Sequence, residues 1–102
     1  MIGRALASTA LLAFAAGTHA FTVEVGEIVG LLDIEVTATA LDRSAVIKVV
    51  NHDTVAAECE LIIDSGPDEQ VRRVVVPASG SRLVTQAIRP STQRVRIRGT
   101  CR

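Results

Sequence analysis

The chain has 102 residues, balances 11 basic against 11 acidic residues, and contains two cysteines and only 2% aromatic residues. This length suits one domain with a modest core. The few aromatic residues argue against nucleic-acid binding, because they provide no platform on which bases could stack. The same shortage argues against a lectin site that stacks on sugars, but not against a purely electrostatic glycan contact.

The first twenty residues have the three parts of a secretory signal peptide. Arg4 supplies the positive start, residues 5–16 form a short apolar run, and residues 18–20 supply the small-residue end before cleavage. A membrane-spanning helix is the alternative, but the run is shorter than the ~20 residues that a bilayer requires. We therefore expect residues 1–20 to be a cleaved signal peptide and residues 21–102 to be a single exported domain that does not span the membrane.

The rest of the sequence is a succession of short β-branched segments separated by turn signals, without helical apolar spacing. We predict about seven strands, over residues 21–28, 33–39, 45–50, 57–63, 70–76, 82–88 and 94–101. Turns at intervals of roughly 8 to 15 residues favour an antiparallel β-sandwich, because parallel sheets would need helical crossovers. The sequence therefore predicts an all-β fold.

Cys59 and Cys101 each lie on the apolar side of a predicted strand. Glu58 and Glu60 face away from Cys59, and the arginines of the last strand face away from Cys101. Both sulfur atoms are therefore expected to point inward, where a disulfide would close a loop of about 43 residues and stabilise the fold by about 4 kcal/mol. Two free buried thiols are the alternative, which an oxidising compartment disfavours.

Charge is segregated along the chain. Residues 21–65 carry nine acidic and two basic residues, whereas residues 66–102 carry two acidic and eight basic residues. Arginines alternate along one side of the last predicted strand, and Arg72, Arg73 and Arg82 join them if their strands are neighbours. This candidate binding face comprises Arg94, Arg96, Arg98, Arg72 and Arg73.

Two interpretations of these arginines stay open. In the first, acidic residues on adjacent strands pair with them, either Glu58 and Glu60 or Glu24 and Glu35. In the second, the arginines form a basic surface that binds an anionic partner, such as an acidic protein, an anionic lipid or a polysaccharide.

Catalytic and metal sites are not expected. His52 is the only histidine after residue 20, and it stands beside Asp53 in the polar run 51–54. One histidine with one acidic neighbour is far short of a three-ligand metal site, and neighbouring strand residues point to opposite faces. Ser79 and Ser81 have no obvious general base. We interpret residues 51–54 as a polar turn and expect no metal, no cofactor and no enzyme activity.

Several segments together resemble a family of small uncharacterised exported proteins of Gram-negative bacteria, some of which carry a phosphoglycerate-kinase label. The matching segments are residues 45–51, Cys59, residues 65–67, Arg72 and Arg73, residues 77–81 and residues 96–101. The resemblance implies an immunoglobulin-like β-sandwich of about seven strands with one disulfide, Cys59–Cys101, in the periplasm. The sequence gives the kinase label no support, because it has no Gly-rich phosphate loop and its only lysine is Lys48.

The expected function is that of a non-catalytic periplasmic binding or interaction module whose ligand the sequence does not identify. A first alternative is a structural accessory subunit that pairs through an edge strand near residues 21–25 or 82–88. A second alternative is an inhibitor of a cell-wall-active enzyme, which only the small size and the export signal support.

Overall fold

The computed structural model describes residues 21–102, so the predicted signal peptide over residues 1–20 lies outside the described residues. Seven strands form the domain: β1 (Thr22–Val29), β2 (Ile34–Leu41), β3 (Ser44–Asn51), β4 (Ala57–Asp64), β5 (Glu69–Val76), β6 (Ser81–Ala87) and β7 (Arg94–Cys101). The all-β prediction is confirmed, and each predicted segment corresponds to one strand. Across residues 21–102, no helix is long and apolar enough to cross a membrane.

The seven strands lie in two sheets. Sheet A has the order β1-β7-β4-β5, and sheet B has the order β2-β3-β6. Alternate residues of both sheets pack against each other and form one apolar core around Ile47, Leu61 and Ile97. This arrangement is compatible with the predicted β-sandwich, although its strand order differs from the ABED and CFG order of constant immunoglobulin domains.

One strand pair is parallel. β1 pairs with β7 in parallel, whereas the other pairs in both sheets are antiparallel. The turn spacing led us to expect antiparallel pairs throughout, because a local parallel connection needs a helical crossover. β1 and β7 instead lie at opposite ends of the described chain, and the remainder of the domain connects them. The parallel pair therefore needs no helix.

The predicted disulfide between Cys59 and Cys101 is confirmed, and it links neighbouring strands of sheet A. Glu58 and Arg102 exchange two backbone hydrogen bonds of 2.6 and 2.9 Å next to it. Because hydrogen-bonded and non-hydrogen-bonded pairs alternate, the two cysteines occupy a non-hydrogen-bonded pair, where Cα atoms come closest. Their Cα atoms are 4.1 Å apart, and both residues are buried.

A glycine allows β4 and β7 to approach each other beside this disulfide. Gly99 lies opposite Leu61, and a Cβ atom at Gly99 would be 2.5 Å from the carbonyl oxygen of Glu60. Gly30, with a φ of 153°, adopts a conformation that residues with side chains rarely adopt, and it lies against the backbone of Cys101. Both glycines therefore preserve the packing around the last strand.

Asn51 is the one buried polar side chain of the described core, with 1% of its surface exposed. Its Nδ2 donates to the carbonyl oxygens of Val55, Val76 and Pro77, at 2.8, 3.3 and 3.3 Å. Its Oδ1 accepts a hydrogen bond of 2.9 Å from the backbone N–H of Asp53. Asn51 thus joins the end of β3 to the β3–β4 loop and to the end of β5.

We predict that replacing both cysteines, Cys59→Ala with Cys101→Ala, lowers the free energy of unfolding by about 4 kcal/mol, because the unfolded chain loses its cross-link. Urea denaturation followed by circular dichroism measures this change. The original protein under reducing conditions is the control and should lose a similar amount. A loss below about 1 kcal/mol in both samples would contradict the predicted role of the disulfide.

We also predict that Asn51→Ala lowers the free energy of unfolding by about 2 kcal/mol or more, because it leaves buried backbone groups without partners. The neighbouring exposed variant His52→Ala is the matched control and should change stability by less than about 1 kcal/mol. Thermal and urea denaturation of both variants provide the measurement. Equal losses in the two variants would show that the Asn51 hydrogen bonds contribute nothing specific.

Candidate binding face

The outer face of sheet A carries three of the arginines that the sequence singled out. Along β7, Val95 and Ile97 point into the core and are fully buried. Arg94, Arg96 and Arg98 alternate with them and therefore lie on the outer face, Arg98 half-buried and the other two exposed. We call this outer surface of β1, β7, β4 and β5 the charged face.

Acidic residues of β4 lie beside these arginines. Cys59 and Leu61 point inward, so Glu58, Glu60 and Asp64 lie on the same outer face as the β7 arginines. β4 stands between β7 and β5, which makes the acidic strand the immediate neighbour of two strands with arginines. The charge segregation along the sequence thus becomes an alternation of charge across one sheet.

Three arginines of the charged face form ion pairs. Arg98 Nη2 lies 3.0 Å from Glu69 Oε2, and Arg73 Nη2 lies 3.0 Å from Glu60 Oε2. The ion pair between Arg102 Nε and Glu58 Oε1 is longer, at 4.0 Å. For these arginines the charge is balanced within the sheet.

Arg98 has an additional role because its guanidinium group contacts two carboxylates that lie side by side. Asp64 on β4 lies directly opposite Glu69 on β5, and like charges in a cross-strand pair repel each other. Arg98 reaches both carboxylates, with Nη1 3.7 Å from Asp64 Oδ2 and Nη2 3.0 Å from Glu69 Oε2. Its guanidinium group offsets this repulsion.

Arg94 and Arg96 have no ion pair among residues 21–102. In the strand register Arg96 lies between Glu24 and Asp64, yet neither carboxylate comes within 4 Å of its nitrogen atoms. Asp64 instead accepts a hydrogen bond of 2.9 Å from the backbone N–H of Gly66 and faces Arg98. Arg94 and Arg96 are therefore exposed to solvent without a direct ion pair.

A groove of about 480 Å³ lies beside Arg96 on the charged face. A bulge in β1 between Val25 and Ile28 shifts the register there, and Gly26 within it has no side chain to fill the space. Val29 and Ile62 add apolar surface to the groove. The groove thus places the exposed Arg96 beside an apolar wall, and the carboxylates of Glu27 and Asp64 also line it.

Arg72 does not lie on the charged face. It is opposite the buried Leu61 and points to the same side of sheet A as that residue. Its Nη1 donates to the carbonyl oxygen of Thr85 at 3.1 Å and to Oε1 of Gln86 at 3.2 Å, both on β6. Arg72 therefore connects the two sheets, and of the β5 arginines only Arg73 remains on the face with Arg94.

The polar segment 51–54 uses its side chains for contacts between loops. His52 Nε2 lies 3.1 Å from Glu35 Oε1 on β2, so Glu35 contacts a histidine of the β3–β4 loop and not the charged face. Asp53 Oδ2 accepts a hydrogen bond of 2.9 Å from the backbone N–H of Asp33. Within residues 21–102 there is no group of three or more residues arranged to hold a metal ion.

The groove and its bulge are features that sequence reasoning missed. A signal for them exists, because the apolar alternation Val23, Val25 changes phase at Ile28 and a glycine stands between them. A glycine inside a strand pattern indicates a bulge. Which strand the bulge faces depends on the parallel β1–β7 pair, for which the sequence has no local signal.

The chain matches no protein-family model, no curated protein and no solved structure.

We predict that Arg98→Ala lowers the free energy of unfolding by about 1 kcal/mol, because Asp64 and Glu69 then repel each other without a counter-charge. Arg94→Ala is the matched control on the same strand face and should change stability by less than about 0.5 kcal/mol. Adding Glu69→Gln to Arg98→Ala should restore most of the loss. Equal effects of Arg98→Ala and Arg94→Ala in urea denaturation would contradict this role.

Proposed function

We propose that residues 21–102 form a non-catalytic binding domain of the bacterial periplasm, which binds an anionic component of the cell envelope through Arg94 and Arg96. The observation that carries this proposal is the difference between the arginines of the charged face. Arg73 and Arg98 are engaged by carboxylates, whereas Arg94 and Arg96 are exposed and have no ion pair in the described part of the chain.

The spacing of the two free arginines supports a ligand with repeated anionic groups. Residues two apart on one strand face lie about 7 Å from each other, and the guanidinium group binds phosphate or carboxylate oxygens in a bidentate manner. An anionic lipid surface, an anionic glycan and an acidic protein segment all present such groups. The groove beside Arg96 has apolar surface from Val29 and Ile62 and is also lined by Glu27 and Asp64, so it gives room for an uncharged part of the ligand next to the anionic groups that the arginines bind.

The proposed location is supported by the covalent structure of the core. The Cys59–Cys101 disulfide is buried, and structural disulfides persist in oxidising compartments such as the periplasm. The signal peptide expected over residues 1–20 agrees with this location. The resemblance to small exported proteins of Gram-negative bacteria points to the same compartment.

The test compares two variants with the same change in net charge. Arg94→Glu with Arg96→Glu removes the free arginines, whereas Arg43→Glu with Lys48→Glu changes the β2–β3 turn and β3, away from the charged face. Binding is measured to phosphatidylglycerol vesicles, to lipopolysaccharide and to polyglutamate, each at low and at physiological salt. We expect the original protein to bind at least one probe at low salt, with weaker binding as salt screens the charges.

The first variant should lose this binding at least tenfold, and the control variant should lose less than about threefold, because only the first changes the proposed site. Circular dichroism should show that both variants remain folded. No binding of the original protein to any probe would contradict the proposal. Equal losses in the two variants would also contradict it, because the attraction would then come from net charge alone.

A further inference from the structure

The free edges of the two sheets differ in how well their backbone groups are protected. In an antiparallel pair, every second residue turns its N–H and C=O groups away from the neighbouring strand. Two backbone hydrogen bonds determine this alternation for β6: Asn51 N–H donates to the Gly80 carbonyl oxygen, and Ile88 N–H donates to the Arg43 carbonyl oxygen. They leave the peptide groups of the odd-numbered residues 81–87 facing the free edge of β6.

Side chains cap three carbonyl groups at this β6 edge. The capped oxygens and their donors are Ser81 with Arg82 at 3.1 Å, Thr85 with Arg72 at 3.1 Å, and Ala87 with Gln86 at 3.2 Å. A strand that added to this edge would have to displace these side chains. The edge of β6 is therefore protected against pairing with another strand.

The two edges of sheet A are protected in other ways. β1 contains the bulge between Val25 and Ile28, which interrupts any continuous ladder along it. On β5, the residues whose peptide groups face outward include Glu69 and Arg73, and charged side chains on an edge strand disfavour pairing. Bulges and edge charges are common protections of natural sheets.

β2 has none of these protections in its centre. The hydrogen bond from His52 N–H to the Asp33 carbonyl fixes its alternation, so Val36, Ala38 and Ala40 turn their peptide groups to the free edge. Among residues 21–102, no side chain or backbone group bonds to these peptide groups. The stretch from Val36 to Ala40 contains no charge, no proline, no glycine and no bulge.

We infer that the β2 edge pairs with the β2 edge of a second copy of this chain, antiparallel, with Ala38 opposite Ala38 of the second copy. In this register Val36 lies opposite Ala40 of the second copy, and Ala40 lies opposite its Val36. The outward peptide groups of β2 therefore face each other, and each opposed pair exchanges two hydrogen bonds. Sheet B becomes a continuous six-stranded sheet with a two-fold axis midway between the two Ala38 residues.

The side chains fit the same register. On the outer face, the exposed Thr37 lies opposite Thr39 of the second copy, a favourable cross-strand pair. The acidic Glu35 lies opposite Leu41 of the second copy, so no like charges meet across the new pair. On the inner face only Val36, Ala38 and Ala40 meet, and these small residues allow the strands to approach.

The side-chain pattern of β2 favours a second copy as the partner, because the register about Ala38 opposes small and neutral residues and brings no like charges together. A two-fold interface brings the same patch of both subunits together, and each residue must be compatible with its symmetry mate. The centre at Ala38 satisfies this condition for each outward peptide group from Val36 to Ala40. This pairing uses sheet B and leaves the charged face of sheet A free, so it goes beyond the proposed ligand site.

The first experiment measures the molar mass of the protein, expressed from its full sequence, by sedimentation equilibrium up to about 1 mM, because a single strand pair is a weak interface. Ala38→Pro removes only an N–H that faces the edge and keeps the β2–β3 ladder. Val71→Pro does the same on the β5 edge and is the matched control. Thr39→Lys adds a charge at the β2 edge without changing the backbone.

We expect the original protein and Val71→Pro to dimerise with rising concentration. Ala38→Pro and Thr39→Lys should remain folded by circular dichroism and should weaken dimerisation at least tenfold. A monomer at all concentrations would overturn the inference. A dimer that Ala38→Pro and Thr39→Lys leave intact would also overturn it, because the interface would then lie elsewhere.

A second experiment tests the register. Thr37 and Thr39 of the second copy would form a non-hydrogen-bonded pair with Cα atoms about 4.5 Å apart, which suits a disulfide. Mild oxidation of a mixture of Thr37→Cys and Thr39→Cys proteins should give a cross-linked heterodimer, whereas each variant alone should cross-link at least tenfold less. Cross-linking of either variant alone at the rate of the mixture would overturn the register.

Discussion

The register between β4 and β7 is the constraint on which the rest of the structure depends. The disulfide fixes Cys59 opposite Cys101, and this one pair determines the position of every residue along both central strands of sheet A. A slip of one residue would turn the arginines of β7 inward and Val95 and Ile97 outward. Burial of unpaired guanidinium groups costs several kcal/mol each, so the correct register is strongly favoured. The disulfide on the inner face of sheet A therefore determines which side chains form the charged face on the outer side.

Local patterns were sufficient to predict the strands but not their partners. Apolar alternation and turn residues located all seven strands within about two residues, because both signals are read over a few neighbouring positions. The strand order and the parallel β1–β7 pair depend on contacts between segments far apart in sequence, and these leave no local signal. The inward phase of Cys59 and Cys101 predicted their disulfide, because both lay on apolar strand faces of a chain for which export was expected.

The candidate site could be predicted only in part. Alternation places Arg94, Arg96 and Arg98 on one face, but the strand order decides which of them meets a carboxylate. Arg72 and Arg73 are adjacent on one strand, so their side chains point to opposite faces of the sheet. The sequence alone therefore indicates that only one of them can lie on the face with Arg94. The buried position of Asn51 was not apparent, because a polar residue at a strand end looks the same whether its side chain faces solvent or loop carbonyl groups.

The two outer surfaces of the domain differ in a way that connects the proposed ligand site with the proposed dimer. Opposed charges cover sheet A, whereas Thr, Val and Leu residues dominate the outer face of sheet B, with Glu35 and Lys48 as charged members. A two-fold axis between the two Ala38 residues would be perpendicular to sheet B, so both copies would turn sheet A to the same side. Two pairs of free arginines would then face one plane. Binding of one copy to a flat anionic surface would raise the local concentration of the second site, so a weak dimer would increase the avidity of two weak electrostatic contacts.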